Sequence, residues 1–401
     1  MKKRTMRLGC ILLSTVLLGT AALTGCGQTK KNTTDTKKTE SSSTKESAKE
    51  KKGPEIDGLT YESAMDLEYA EGFQVYYYKD GYKMIDIKDD AKFLVVPENQ
   101  DVPDGAEEDY VILQQPLDHI YLAATSAMAL FNAIDSLDNI TMTGTQASGW
   151  YIENAVKAMD DGKIKFAGKY SEPDYEKIVD GDCKLAVEST MILHSPKVQE
   201  MIEDLDIPVF VDYSSYESHP LGRTEWIKVY GAMLNKEKEA EAFFDDQAKV
   251  IEDLKDFKNT EKTVAYFYIN TDGSVVVRKS DDYIPTMIEI AGGRYVFKDL
   301  KNSEGNAPSV KLTMEEFYAT AVDADYLIYN GTIDGQVSSL GDLEAKSNLF
   351  AEFKAVKDGN VWYTGKNLYQ ATDTVGELIS DIHLMLTDGD ASQMTFLEKM
   401  K

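Results

Sequence analysis

From Ile120 onward the sequence predicts an α/β fold: two lobes, each with a mainly parallel sheet flanked by helices, joined by one long backbone helix. Three observations carry this. Short apolar runs alternate with amphipathic segments on both sides of the middle of the chain. A helical stretch of more than twenty residues with no strand in it separates the two alternating halves. The roughly 345 residues that follow the polar N-terminal segment exceed what one core usually fills.

The elements follow in order. Tyr76-Tyr77-Tyr78-Lys79-Asp80-Gly81-Tyr82-Lys83-Met84-Ile85-Asp86-Ile87 reads as a hairpin, two strand-like runs around a turn containing Asp-Gly. Its adjacent tyrosines suit either direct ligation of ferric iron or aromatic cross-strand pairing. Thr125-Ser126 then precedes a helix over Ala127–Leu137, and Ile140–Gly144 is a strand. A helix over Tyr151–Met159, a strand over Ile164–Ala167, a helix from Tyr175 and a strand over Leu185–Glu188 continue the alternation. Ser195–Leu205 and Val209–Val211 repeat it, completing an N-terminal lobe over 58–224. The inter-lobe region, 225–258, has apolar residues at Trp226, Val229, Tyr230 and Met233. After a break at Asn235 it continues with Ala240, Phe243, Phe244, Val250, Ile251 and Leu254. Such a helix spans ~30 Å. In the C-terminal lobe (259–401), Thr263–Tyr268, Tyr326–Tyr329 and Val361–Tyr363 read as strands. Tyr283–Ala291, Met314–Ala321 and Thr374–Leu386 read as helices.

The N-terminus has a different character. Lys2, Lys3, Arg4 and Arg7 precede an apolar run, Leu8 to Leu23, too short to span a membrane comfortably. Leu23-Thr24-Gly25-Cys26 resembles a bacterial lipobox, which implies removal of residues 1–25 and lipidation of Cys26; an ordinary signal peptide with an incidental cysteine is the alternative. More than one acyl chain is needed for lasting attachment. Residues 26–57 then read as a disordered tether: 28–53 hold eight lysines, four acids and no aromatic or aliphatic side chain larger than alanine. The excess of lysine suits a position near an anionic bilayer.

The formal charge is −26. Setting aside the leader's four basic residues and the tether's excess of four leaves −34 on residues 54–401. A body that acidic, with no basic face, excludes nucleic-acid binding through counterion release. Cys183 is the one cysteine remaining after Cys10 and Cys26, so no disulfide framework or cysteine metal site forms. The chain has no Walker loop, GxGxxG, HExxH or GxSxG. His119, His194, His219 and His383 lack ligand spacing and are either unrelated or brought together only by the fold.

The most specific segments are Tyr213-Ser-Ser-Tyr-Glu-Ser-His-Pro-Leu-Gly-Arg-Thr-Glu-Trp-Ile-Lys228, Ile290-Ala-Gly-Gly-Arg-Tyr-Val-Phe297, and Met314-Glu-Glu-Phe-Tyr318 with Ala324-Asp-Tyr-Leu-Ile-Tyr-Asn330. With the lipobox and tether, they make residues 58–395 resemble the substrate-binding lipoproteins of ABC importers. The particular class is the helix-backbone one, which captures ferric siderophores, haem and cobalamin. The resemblance implies a non-enzymatic, monomeric protein held on the outer face of the cell membrane by its lipid. It would have no resident cofactor, iron entering only within a bound chelate, and would dock on a permease dimer through one glutamate per lobe. Those glutamates fall on Glu176 and Glu315, with Glu316 an ambiguous neighbour; an acidic first helical turn is also favoured by the helix dipole alone.

Family loop positions place ligand contacts at Thr125, Ser126, Trp150, Tyr151, Lys169, Tyr170, Ser189, Thr190, Tyr216 and Arg223. In the second lobe they fall on Arg278, Lys279, Asn330, Tyr369 and Gln370. An anionic ferric chelate needs cations and aromatic surface, and Arg278, directly after Val275-Val-Val277, meets the first need. Arg223 is either a ligand contact or a cap beside Glu225; Trp150 and Tyr170 are either contacts or core. Cobalamin-binding members carry an aromatic residue six positions before each docking glutamate; Tyr170 fits, but Ser309 does not. Haem remains open, since 23 tyrosines leave an axial ligand unspecified. A surface adhesin and a lipid-anchored hydrolase are the rivals from other classes; the first needs an exposed apolar patch, the second a nucleophile beside a base.

Overall fold

Five strands, the middle ones buried on both faces, build a sheet that precedes both lobes. The structure, a computed structural model, describes residues 53–300, 308–333 and 337–401. The leader, Cys26 and the tether up to residue 52 lie outside the described residues. Strands β1 (Tyr61–Ala64), β2 (Phe73–Tyr78), β3 (Lys83–Ile87), β4 (Lys92–Val96) and β5 (Val111–Gln114) lie in sequence order, antiparallel except for the parallel β4–β5 pair. The expected hairpin is β2–β3. Tyr78 faces Tyr61 across the strands, their rings edge to face at 6.0 Å, and its buried hydroxyl donates to the Pro54 carbonyl at 2.8 Å. The tyrosine run is therefore cross-strand packing.

The first lobe is built as the alternation requires. Strands β6 (Ile120–Leu122), β7 (Ile140–Thr143), β8 (Lys165–Phe166), β11 (Leu185–Ser189) and β12 (Val209–Asp212) form an all-parallel sheet in the order β12-β11-β6-β7-β8. The hairpin β9 (Gly168–Lys169) and β10 (Glu172–Pro173) stands beside it. Helices α1 (Thr125–Ala133), α2 (Glu153–Asp160), α3 (Tyr175–Asp180) and α4 (Pro196–Glu203) lie between the strands. The predicted helix over 127–137 stops at Ala133 because Asp135 takes a left-handed backbone, φ 52°.

The connection is three helical segments, α5 (Pro220–Glu225), α6 (Ile227–Leu234) and α7 (Glu237–Leu254), with the expected break at Asn235 and a further one at Trp226. Asn235 ends α6 in the left-handed region, φ 58° and ψ 38°, a conformation asparagine tolerates. Ile227 to Met233 are all buried, so α6 belongs to the core of the molecule. Only α7 is long, 18 residues, about 27 Å at 1.5 Å per residue.

The second sheet is mixed where a mainly parallel one was expected. Its parallel centre is β13 (Thr263–Ile269), β17 (Tyr326–Tyr329) and β18 (Val361–Thr364), with β15 (Arg294–Tyr295) also on β13. The antiparallel members are β14 (Val275–Arg278), β16 (Ser309–Leu312) and β19 (Leu397–Lys399). A tight turn returns β13 into β14: Asp272 accepts from the Ser274 amide at 3.0 Å, and Gly273 has φ 82°. Helices α8 (Tyr283–Ile290), α9 (Met314–Ala321), α10 (Leu340–Lys346), α11 (Lys354–Lys357) and α12 (Val375–Leu386) complete the lobe.

One apolar core runs from Phe73 in the first sheet through Trp226 and Tyr230 to Met400, so the lobes belong to one compact unit. None of the described helices is long and apolar enough to cross a membrane.

Two buried carboxylates tie the first sheet on. Glu225 accepts from the amides of Glu68, Tyr69 and Ala70 at 2.7–2.9 Å and pairs with Lys228 at 2.8 Å. Glu217 accepts from the amides of Glu71 and Gly72 and from the Trp226 indole at 2.9 Å. A Cβ on Gly72 would stand 2.8 Å from the Glu217 carboxylate, so any larger residue here would push on that acceptor.

Candidate functional site

A cavity of about 420 Å³ lies between the lobes, at the carboxyl ends of their central strands. The first lobe contributes Thr190 and His194 after β11, and Ser215 and Tyr216 after β12, with Arg223 on α5. The second contributes Tyr266 on β13, Arg278 at the end of β14, Tyr283 on α8, and Asn330 after β17. Leu368, Tyr369, Ala371 and Thr372 close one side.

The centre of this wall is the Tyr283 ring. Arg223 reaches it from the first lobe, its guanidinium carbon 4.0 Å from the centroid, and Arg278 from the second at 5.7 Å. Arg223 also donates to the Ser215 carbonyl at 3.3 Å, whereas Glu225 is occupied by the 68–70 amides and Lys228. Arg223 is thus no cap for Glu225. The Arg278 side chain is 23% exposed and approaches Asp282 only at 3.5 Å. Burial opposes its charge, but the oxygens of Tyr283 and Asp282 outweigh that, so the guanidinium is held more firmly protonated than usual. Burial pushes the Asp282 carboxyl up and Arg278 pulls it back down; the net shift is upward. Asp282 also caps α8, accepting from the Ile284 amide at 3.1 Å. Two cations facing an aromatic floor, with hydrogen-bonding capacity left over, suit an anionic ligand with a flat organic shell.

The other expected residues fall in several places. Asn330 is buried and folds its side chain onto Thr332, accepting from that amide at 3.1 Å. Tyr369 and Tyr151 meet edge to face at 6.2 Å, and the Tyr151 amide donates to Gln370 at 2.8 Å, so these residues bridge the lobes. Tyr151 lines a separate cavity. Ser189 caps the following turn through the Met191 amide. Lys169 pairs with Glu172 on the β9–β10 hairpin, Tyr170 packs on the apolar cluster of the first lobe, and Trp150 is buried in the main core. None of these four lines the inter-lobe cavity; nor do Thr125, Ser126 or Lys279.

Tyr283 and Tyr266 were missed by the sequence reading. The signal for Tyr283 was its place one residue after the helix cap Asp282, just beyond the end of β14; Tyr266 sits mid-strand and carries no such signal. Among the described residues no group of three or more His, Cys, Asp or Glu side chains is placed to hold a metal. His219 stacks on Tyr69 at 4.3 Å, and His383 bonds the Ala291 carbonyl.

Glu176 is exposed in the first turn of α3, where Asp174 is the cap. Glu315 is exposed in the first turn of α9, while its neighbour Glu316 completes a capping box with Thr313.

Two lobes with a polar and aromatic cleft at the strand ends define a solute-binding architecture. The sequence model of the periplasmic binding protein family matches residues 122–368. The chain belongs to that family. An uncharacterized lipoprotein from Methanocaldococcus jannaschii is 27% identical over 338 residues, covering 76% of this chain and 77% of the relative. Residues 122–401 cannot supply that share alone, so the similarity extends into the residues before them. Two solved structures share the fold. A possible iron-binding (periplasmic solute-binding) protein from Staphylococcus epidermidis is 16% identical, with a TM-score of 0.53, covering 67% of this chain and 99% of the other. A periplasmic heme-binding protein from Vibrio cholerae is 13% identical, with a TM-score of 0.54, covering 66% and 98%.

Proposed function

We propose that this protein is the extracytoplasmic binding lipoprotein of an ABC importer, anchored through Cys26, and that it captures an iron(III) chelate of the siderophore type in the inter-lobe cleft. The observation that carries the reading is the meeting of Arg223 and Arg278, from opposite lobes, on the face of Tyr283. A ligand bearing carboxylate, catecholate or hydroxamate oxygens would take the guanidinium donors, and the tyrosines would cover its organic shell. The possible iron-binding protein from Staphylococcus epidermidis, which shares the fold, supports this reading. Glu176 and Glu315 are the residues assigned to permease docking, one exposed carboxylate per lobe. The protein acts as a carrier and alters no bond in its cargo.

The test is titration of the purified protein with ferric catecholate, hydroxamate and carboxylate chelates, haem and cobalamin, read by tryptophan fluorescence and calorimetry. Saturable binding of one ferric chelate, weakened in Arg278→Ala, is expected. Binding of haem, with a Soret shift lost in His194→Ala, would replace the chelate by haem. Binding of none of them would remove the reading.

A further inference from the structure

The first sheet stands before the family's matched residues, and it adds a wall to the ligand site. Beside the cleft lies a second cavity of about 320 Å³. One side comes from the first sheet and its loops, through Glu71, Lys88 and Asp89; the other comes from the β12–α5 turn, through Tyr213, Tyr216 and Glu217. Tyr216 lines both cavities, so one ring is the partition between them. It is 59% exposed and rests edge to face on Tyr213 at 5.8 Å. Arg223, the cleft cation, holds the same turn through the Ser215 carbonyl.

The two compartments differ in polarity. The cleft presents two guanidinium groups. In the second cavity Glu217 is taken up by two amides and the Trp226 indole. The side chains of Glu71, Asp89 and Lys88 have no hydrogen-bond or ion-pair partner among the described residues. Two free carboxylates against one ammonium, beside two electron-rich phenol rings, favour a cation.

We infer that the second cavity is a specificity subsite, which receives an ammonium-bearing arm of the chelate whose oxygen-rich centre lies in the cleft. The inference rests on the chelate reading above. It makes the first sheet part of the binding machinery, strapped by residues 68–72 to the buried Glu217 and Glu225 so that its wall keeps a fixed position. The arm would pass the Tyr216 partition, with its charge against Glu71 and Asp89.

The probe pair is a linear ferric trihydroxamate with a terminal amine and the same chelate with that amine acetylated, titrated calorimetrically into the intact protein. The amine form is expected to bind about tenfold tighter, the scale of one cation–π contact plus an exposed carboxylate. In the double variant Glu71→Gln, Asp89→Asn the two forms should bind equally, at the affinity of the acetylated one. Both substitutions are on exposed side chains, and Asn tolerates the left-handed backbone of Asp89, φ 60°. Equal affinity in the unmodified protein, with both forms weakened by Arg278→Ala, would overturn the subsite and leave the cleft reading standing. A preference that survives the double variant would also overturn it. Binding of neither form would overturn the ammonium subsite, while the cleft reading would fall only if none of the ferric chelates of the wider panel bound.

Discussion

Charge is handled in opposite ways at the strap and at the cleft. At the strap, Glu225 has no exposed surface, yet three amides and Lys228 surround its oxygens. At the cleft, Arg278 has one distant carboxylate, at 3.5 Å, and an aromatic face. A guanidinium has five donors, so most of its hydrogen-bonding capacity is unspent among the described residues. The strap is closed chemistry that fixes shape; the cleft is open chemistry that waits for a ligand. The number of satisfied partners, more than burial itself, separates a structural charge from a functional one.

The sharpest way to break the comparison is to open the strap. Glu225→Ala removes the acceptor for three backbone amides and leaves Lys228, itself buried, without its anion. Removing one partner of a buried pair costs about 3–5 kcal/mol. Chemical denaturation should show a loss of that size. If Glu225→Ala unfolds at the same denaturant concentration as the parent, the strap is ornamental and the contrast fails.

Glu188 is a third case, a buried carboxyl whose oxygens meet no donor. Burial in the first lobe's sheet pushes it up to about 8. Because the folded value lies above the unfolded one, the folded state keeps a proton that the unfolded state releases, and stability falls as pH rises from about 4.5 toward 8. Glu188→Met should remove this slope. Near pH 7 the variant should be more stable by about 3 kcal/mol, and near pH 4 by almost none of that difference. Unfolding curves at the two pH values check it, and parallel profiles for parent and variant would contradict it.

The cleft prediction is smaller in energy and moves a different readout. Arg278→Ala should weaken the chelate by about 10- to 100-fold, the ~1.5–3 kcal/mol of a charge-assisted hydrogen bond, with little change in melting. A loss of stability with unchanged affinity would place Arg278 with Glu225 among the structural charges.

What the sequence made legible follows from the range of the interactions. The helix over Met314–Ala321 and the strand over Tyr326–Tyr329 were read residue for residue, because local periodicity determines them. Arg278 was legible because a cation at the end of an apolar strand falls where α/β folds bind ligands. The strap was not: Glu225 and its amides are 155–157 residues apart, and nothing local marks a glutamate as an acceptor for a distant loop. Trp150 and Tyr170 fell outside the cavity for a related reason. Loop position places a side chain near the cleft, but packing decides which way it turns, and both turned into apolar clusters. The turn at Asp272-Gly273 was overlooked, and with it the antiparallel pairing that makes the second sheet mixed.

The same distinction separates two adjacent glutamates on α9. Glu316 accepts from the Thr313 amide at 2.8 Å, and its own amide donates back to the Thr313 hydroxyl at 3.2 Å, so its carboxylate is spent on the helix. These contacts hold it below the ordinary carboxylate range. Glu315, one residue away, is exposed and free of such bonds. Glu316→Ala should therefore cost about 1 kcal/mol of stability through the lost capping box and leave delivery to the permease intact. Glu315→Ala should leave stability unchanged and reduce ligand-dependent ATP hydrolysis by the reconstituted transporter, with Glu176→Ala acting alike from the other lobe. If Glu316→Ala is the one that lowers transport, then the helix cap and the docking residue are the same group, and counting satisfied partners does not separate structure from function at this surface.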